Sequence, residues 1–182
     1  MKILIFGASG AGSTTLSKAV CETSGFKHLD VDDYYWKPTH PPYQEKVTLS
    51  ERNDALTADF HRYENVTVSG SLVSWGKQWE SAFDLAVFIY LQPEVRLQRL
   101  VIREQQRYGD RLQTDQKTKQ TSIDFLEWAE QYDDPDFTGR SLTIHNQWIE
   151  SLTFPVLKLD GDMELMQKAE AVLQAINTAL SN

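Results

Sequence analysis

The chain has one cysteine, Cys21, in 182 residues. That scarcity excludes an internal disulfide framework and any cysteine-rich metal site, and it accords with a reducing cytoplasm. Basic charge is also short: 18 Lys and Arg stand against 26 Asp and Glu, a net charge of −8. Nucleic-acid binders normally carry a basic balance or a large basic face, so no nucleic-acid partner is expected. Long apolar runs are missing as well. Leu85 to Leu91 is the longest, far short of the roughly 20 residues that span a bilayer. The N-terminus enters an apolar run directly, without signal- or transit-peptide features. The expectation is a soluble, cytoplasmic chain with no membrane partner. His28, His40, His61 and His145 show no metal-ligand spacing and no Ser-His-Asp arrangement. Internal repeats and low-complexity tracts are absent, and the length suits one α/β domain over residues 1–182.

What the chain does have is concentrated at its start. Ile3, Leu4, Ile5 and Phe6 form an apolar run that suits a strand buried on both faces. Gly7, Ala8, Ser9, Gly10, Ala11, Gly12, Ser13, Thr14 and Thr15 follow. The glycines permit a sharp turn and bring backbone N–H groups close to an anion. The helix that opens after them adds its N-terminal amides and the positive end of its dipole. Against the pattern G-x-x-x-x-G-K-[ST], Gly7 and Gly12 fall in place and Thr14 supplies the magnesium-ligating hydroxyl, but Ser13 stands where the lysine belongs. That lysine normally neutralises β- and γ-phosphate charge. The stretch therefore reads as a phosphate cradle that lacks one catalytic part. A dinucleotide-binding turn competes: Gly7-x-x-Gly10-x-x-Ser13 is a loose match, and Asp30 lies about 20 residues on, where a ribose-binding acid would sit. Against it, the strict G-x-G-x-x-G is missed, and no Tyr-x-x-x-Lys pair of the short-chain dehydrogenase kind is present.

Along the chain, Leu16, Ala19 and Val20 mark a helix stopped by Gly25, and a second strand is expected at Lys27 to Val31. Asp32, Asp33, Tyr34, Tyr35 and Trp36 follow where open α/β sheets bind ligands. Pro38, Pro41 and Pro42 make a loop, and Thr48-x-x-Glu51 reads as a capping box for a helix with Leu49, Leu56 and Phe60 on one side. Val66 to Ser69 reads as a strand ending in the turn Ser69-Gly70-Ser71, and Asp84 to Leu91 gives the clearest strand signal. Trp75, Lys77 and Trp79 between them suit a short helix or loop. Pro93 and Gly109 bracket a helix on which Arg96, Arg99, Arg103 and Arg107 share a face. With Arg111 these make five of the chain's eight arginines. A solvated charged face is the plain reading, and a phosphate-facing stripe is the one favoured here. Residues 110–120 are polar and uncommitted, a candidate mobile flap. Helical stretches with Phe125, Leu126, Ala129 and Tyr132, then Leu142, His145, Ile149 and Leu152, lead to a strand at Phe154 to Leu159. A last amphipathic helix carries Leu165, Ala169, Leu173, Ile176 and Leu180. Alternating strands and helices indicate a mainly parallel sheet covered on both faces.

These motifs together resemble the small P-loop kinases of the adenylate kinase and shikimate kinase type, including the proteins named for DNA topology modulation. The resemblance implies a three-layer P-loop NTPase fold with a five-stranded parallel sheet in order 2-3-1-4-5. It also implies ATP with Mg2+ as phosphoryl donor and a small-molecule acceptor bound between strands two and three. The insertion at about 34–64 would bind the acceptor, and a flap at about 107–121 would close over the site. By the same resemblance Gly7 to Thr15 wrap the β-phosphate and Thr14 holds magnesium. Arg99 packs on the adenine, and Arg103 contacts the transferring group. Asp32 or Asp33 takes the acceptor proton or holds the metal through water. Ser69 stands where similar nucleotide kinases often carry an acid. With the lysine missing, Arg103 and Arg107 are the expected substitutes for its charge. Tyr34, Tyr35, Trp36, Tyr43, Trp75 and Trp79 fall in segments that could stack on a planar acceptor or simply pack. The expected activity is an ATP-dependent kinase of a small molecule, a nucleotide or nucleoside favoured. The alternatives are a non-catalytic nucleotide-binding protein or degenerate kinase, and an NAD(P)-binding protein.

Overall fold

Residues 3–6 send their side chains alternately to the two faces of the first strand, and the computed structural model, which describes residues 1–180, separates the core along that alternation. The strands are β1 (Lys2–Gly7), β2 (Lys27–Asp30), β3 (Val66–Ser69), β4 (Leu85–Tyr90) and β5 (Val156–Asp160). They form one sheet in the order β2-β3-β1-β4-β5, with every pair parallel. The order expected from the resemblance is the order found. Leu4 and Phe6 belong to the core on one face with Leu56, Phe60, Trp79, Phe88 and Trp148. Ile3 and Ile5 belong to the other with Leu16, Val20, Val172 and Ile176. Period-two alternation in a strand apolar on both faces thus makes a three-layer molecule with β1 at its centre.

The helices are α1 (Ser13–Ser24), α2 (Val31–Tyr35), α3 (Leu49–Arg62), α4 (Pro93–Tyr108), α5 (Arg111–Thr114), α6 (Gln116–Glu130), α7 (Leu142–Ser151) and α8 (Leu165–Leu180). Their ends follow local chemistry. Gly25 closes α1 with φ 73°, donating its N–H to the Cys21 carbonyl. Thr48 and Glu51 form the expected capping box at α3. Pro93 opens α4 and Gly109 follows it. Leu180 falls among the expected apolar positions of α8, but its side chain lies outside the described residues.

Two expectations are corrected. β2 stops at Asp30, and Val31 begins a one-turn helix. The cause is the Asp30 side chain, which accepts from the Asp32 N–H at 3.0 Å and caps α2. The segment 110–120 is helical rather than uncommitted: it is α5 and the first turns of α6. The Asp115 side chain accepts from the N–H groups of Lys117 and Thr118, an N-cap hidden in a run that reads as merely polar. The segment that carries Trp79 is a single 3-10 turn, Lys77–Glu80.

Candidate active site

The carboxyl ends of β1, β2 and β3, with α4 and the segment after β5, line one cleft of about 1060 Å3. Gly7 to Thr15 form its floor. Gly10 and Gly12 have φ values of 85° and 97°, in the left-handed region that side chains avoid. At Gly7 the constraint is space, since a Cβ would sit 2.4 Å from the Ile89 carbonyl oxygen. Helix α1 starts with no side-chain cap. Its first internal bond runs from Leu16 N–H to the Gly12 carbonyl, so the amides of Ser13, Thr14 and Thr15 are left for a ligand. An anion fits this end of the cleft on both steric and electrostatic grounds.

The acid segment stands opposite. Thr14 Oγ1 donates to Asp30 Oδ2 at 2.9 Å, so the hydroxyl expected to hold magnesium already has a carboxylate beside it. Asp32 lines the cleft with Tyr35 and Trp36, whereas Asp33 is not among the lining residues. One helical turn explains the division, because successive residues of α2 point about 100° apart. Burial, with the Asp30 charge second, raises the Asp32 pKa above the ordinary carboxylate value, against the pull of Arg140, Arg103 and Arg107. Asp30 is engaged by both Thr14 and its own cap, which leaves it poorly placed as a free ribose-binding acid. Among the described residues no group of three or more His, Cys, Asp or Glu could hold a metal. A magnesium ion carried by nucleotide phosphates needs only one or two protein oxygens.

The arginine face divides into distinct environments. Arg96 is fully buried, donating to Asp133 at 2.8 Å and to the Ala129 carbonyl at 2.8 Å. It leaves the proposed stripe because α4 turns that position toward α6. Arg99, at the rim, lines the cleft with Asp162, Glu164 and Lys168. Arg103 and Arg107 line it further in. Arg107 donates to Glu104 at 3.0 Å and lies 4.1 Å over the Tyr43 ring. Arg103 makes no ion pair among the described residues, rests 5.6 Å from the Phe125 ring and has a buried, unpartnered Nε.

Arg140 is the cleft residue that the sequence did not single out. It stands in the loop before α7, donates to Ser9 Oγ at 3.2 Å and lies 4.9 Å from the Trp128 ring. Its Nε is likewise buried without a partner. Burial lowers the pKa of both guanidiniums, and neighbouring Arg107 lowers that of Arg103 further. The nearby Asp32 carboxylate pulls the other way on both. The one available signal was that Arg140 is the sole arginine after Arg111.

The remaining wall is aromatic and cationic. Arg52 is sandwiched 4.5 Å from the Tyr35 ring and 4.6 Å from the Trp75 ring, and Lys46, Trp36 and Tyr43 join it. Tyr34 and Trp79 do not line the cleft: Tyr34 donates to Asp59 at 2.9 Å and Trp79 to Asn53 at 2.8 Å. The expected flap touches the proline loop, with Tyr108 donating to the Pro42 carbonyl at 3.2 Å and Arg111 to His40 at 3.0 Å.

No protein-family model matches the sequence. The "Uncharacterized protein YqaC" of Bacillus subtilis is 36% identical over 176 residues, 97% of each chain. The chain belongs to the family of YqaC. A further relative is the "Cytidylate kinase" of Archaeoglobus fulgidus, 26% identical over 154 residues, 71% of this chain and 81% of that one. Among solved structures, shikimate kinase from Acinetobacter baumannii in complex with shikimate superposes with a TM-score of 0.57 at 17% identity, over 97% of this chain and 93% of the other. The fold of this YqaC relative is that of the P-loop kinases. Its cleft combines an uncapped glycine turn, a hydroxyl–carboxylate pair and guanidiniums outside any ion pair among the described residues, an arrangement suited to an anion.

Proposed function

We propose that the chain is an ATP-dependent kinase that passes the γ-phosphoryl group to a small molecule, with a nucleoside monophosphate the favoured acceptor. One observation supports this reading: two guanidiniums that make no ion pair among the described residues, Arg103 and Arg140, line the same cleft as a glycine cradle whose lysine position is Ser13, and Arg140 reaches its Ser9. The cradle amides bind the β-phosphate, while Arg103 and Arg140 spread positive charge over the γ-phosphoryl oxygens in place of the missing ammonium. Arg107 is tied to Glu104 and Tyr43 and serves the acceptor side. Arg99, at the rim with Lys168, lies beside the adenine. Magnesium entering with ATP would be held by Thr14 with Asp30 or Asp32 and would supply positive charge to the phosphates. Residues 107–121 close over the donor, and the segment 34–64 carries the acceptor.

Two features favour an anionic, planar acceptor. Trp36 and Tyr43 offer rings for stacking, and Arg52, Lys46 and Arg107 offer positive charge beside them. A phosphate acceptor is already ionised near neutral pH, so Asp32 then serves the metal. With a hydroxyl acceptor it takes the proton.

The test is ADP release with ATP and magnesium over a panel of cytidine 5′-monophosphate, the other nucleoside monophosphates, deoxyadenosine and shikimate. Turnover is expected with a monophosphate, and Arg103→Ala combined with Arg140→Ala should lower kcat by about 100-fold or more. Turnover indifferent to both substitutions contradicts the reading. Ser13 favours a second reading, a nucleotide-binding protein without transfer. A melting midpoint raised by ATP, with no ADP release, would select it.

A further inference from the structure

Behind the cleft lies a buried polar relay that the proposed reaction does not use. Tyr132 OH and His145 Nδ1 are 2.7 Å apart, and His145 Nε2 and Ser71 Oγ are 2.8 Å apart. His145 is fully buried and Tyr132 3% exposed. The imidazole is enclosed by Phe6 and Phe88, edge-on at 5.4 and 5.9 Å. Burial, then the Arg140 charge, pushes its pKa down to about 3, so the ring is neutral near pH 7. A neutral ring carries one proton, and the relay can be wired in two ways.

In the first, Ser71 donates to Nε2 and Nδ1–H donates to Tyr132. The phenol proton then has no acceptor among the described residues, on a side chain 3% exposed. In the second, Tyr132 donates to Nδ1 and Nε2–H donates to Ser71 Oγ. The proton left over is then the Ser71 hydroxyl's. Ser71 lines the cleft, where that proton finds a ligand or solvent. Buried donors are rarely left unpaired, so the second wiring prevails.

Ser71 follows the turn at the end of β3. The β1–β3 register pairs Ile5 with Ser69, so Ser71 stands beside the start of the cradle. A Cβ on Gly70 would meet Val31 at 2.8 Å, which packs the same turn against the helix carrying Asp32.

We propose that Tyr132 and His145 are positioning residues that make the Ser71 hydroxyl an obligate hydrogen-bond donor to an oxygen of the phosphoryl acceptor. This rests on the kinase reading. The acceptor therefore presents an oxygen lone pair, as phosphate and carboxylate do, rather than an amino group.

Imidazole 15N shifts of the full-length protein should place the His145 proton on Nε2. A proton on Nδ1 overturns the relay whatever the activity. With cytidine 5′-monophosphate and ATP, Ser71→Ala should raise the KM for the monophosphate about tenfold and leave that for ATP unchanged. Tyr132→Phe should raise it too, but add nothing in the Ser71→Ala background. Additive effects of the two substitutions, or equal effects on both substrates, overturn the proposal. If none of the panel is phosphorylated, the kinase reading fails and takes the acceptor role of Ser71 with it, while the tautomer still decides the wiring.

Discussion

Replacing Arg96 by methionine separates the arginine that holds the fold from those that face the cleft. The side chain has no exposure, and its two guanidinium nitrogens donate to Asp133 and to the Ala129 carbonyl, each at 2.8 Å. The Tyr132 ring lies 5.1 Å from its charge centre. Methionine keeps the stem, including the Cγ that packs against Gly10, and removes only the charge and its bonds. Breaking a buried pair by removing one partner costs about 3–5 kcal/mol. The low end applies here, because the Asp133 side chain is 20% exposed and regains water. A loss of about 3 kcal/mol is a large share of a stability of about 5–15 kcal/mol. In a chain of this size it lowers the thermal midpoint by about 6–12 °C. Urea and thermal unfolding of Arg96→Met and wild type measure it, and ATP affinity of the folded variant should be unchanged. A variant with wild-type stability but weakened ATP binding would mean that Arg96 faces the nucleotide rather than holding α4 to Asp133.

Gly10→Ala should be more damaging than Gly12→Ala. Both place a side chain in the left-handed region, at about 1–2 kcal/mol, but a Cβ at Gly10 also meets the Arg96 carbonyl at 2.9 Å while one at Gly12 meets nothing within 4 Å. Denaturant midpoints of the two variants should keep that order. His145, with its pKa pushed down to about 3 by burial and then Arg140, stays neutral in the fold while it protonates in the unfolded chain below about pH 6.5. Stability should therefore fall as pH drops from about 6.5, at up to about 1.4 kcal/mol per pH unit, and His145→Gln should flatten the slope. Asp32 works with the opposite sign: its raised pKa means that the unfolded chain releases the proton first as pH rises. Asp32→Asn should accordingly melt higher than wild type at pH 7, with the gap closing in acid, and should lose turnover. Equal melting of the two proteins across that range would show that Asp32 bears no desolvation penalty.

The number of strands and the glycine turn were legible in the letters, because each depends on neighbours a few residues apart, whereas the sheet order was implied only by the family resemblance. The apolar run at Ile3 to Phe6, the glycine spacing from Gly7 to Gly12, and the caps at Thr48, Pro93 and Gly109 are local signals, and each means the same in isolation as in the fold. Helical spacing likewise put Arg96, Arg99, Arg103 and Arg107 on one face, but it could not say what that face would meet. Only packing against α6 decided that Arg96 holds Asp133 and that Arg103 keeps a free charge. Arg140 is brought to Ser9 across 131 residues of sequence, and His145, in the relay from Tyr132, reaches Ser71 across 74. Both are products of chain return, in which the distance along the sequence carries no information about the distance in space. The sequence alone thus determined a cradle that lacks its lysine. The tertiary structure decided which cations stand near it, because charge acts through space and the low dielectric of a closed cleft.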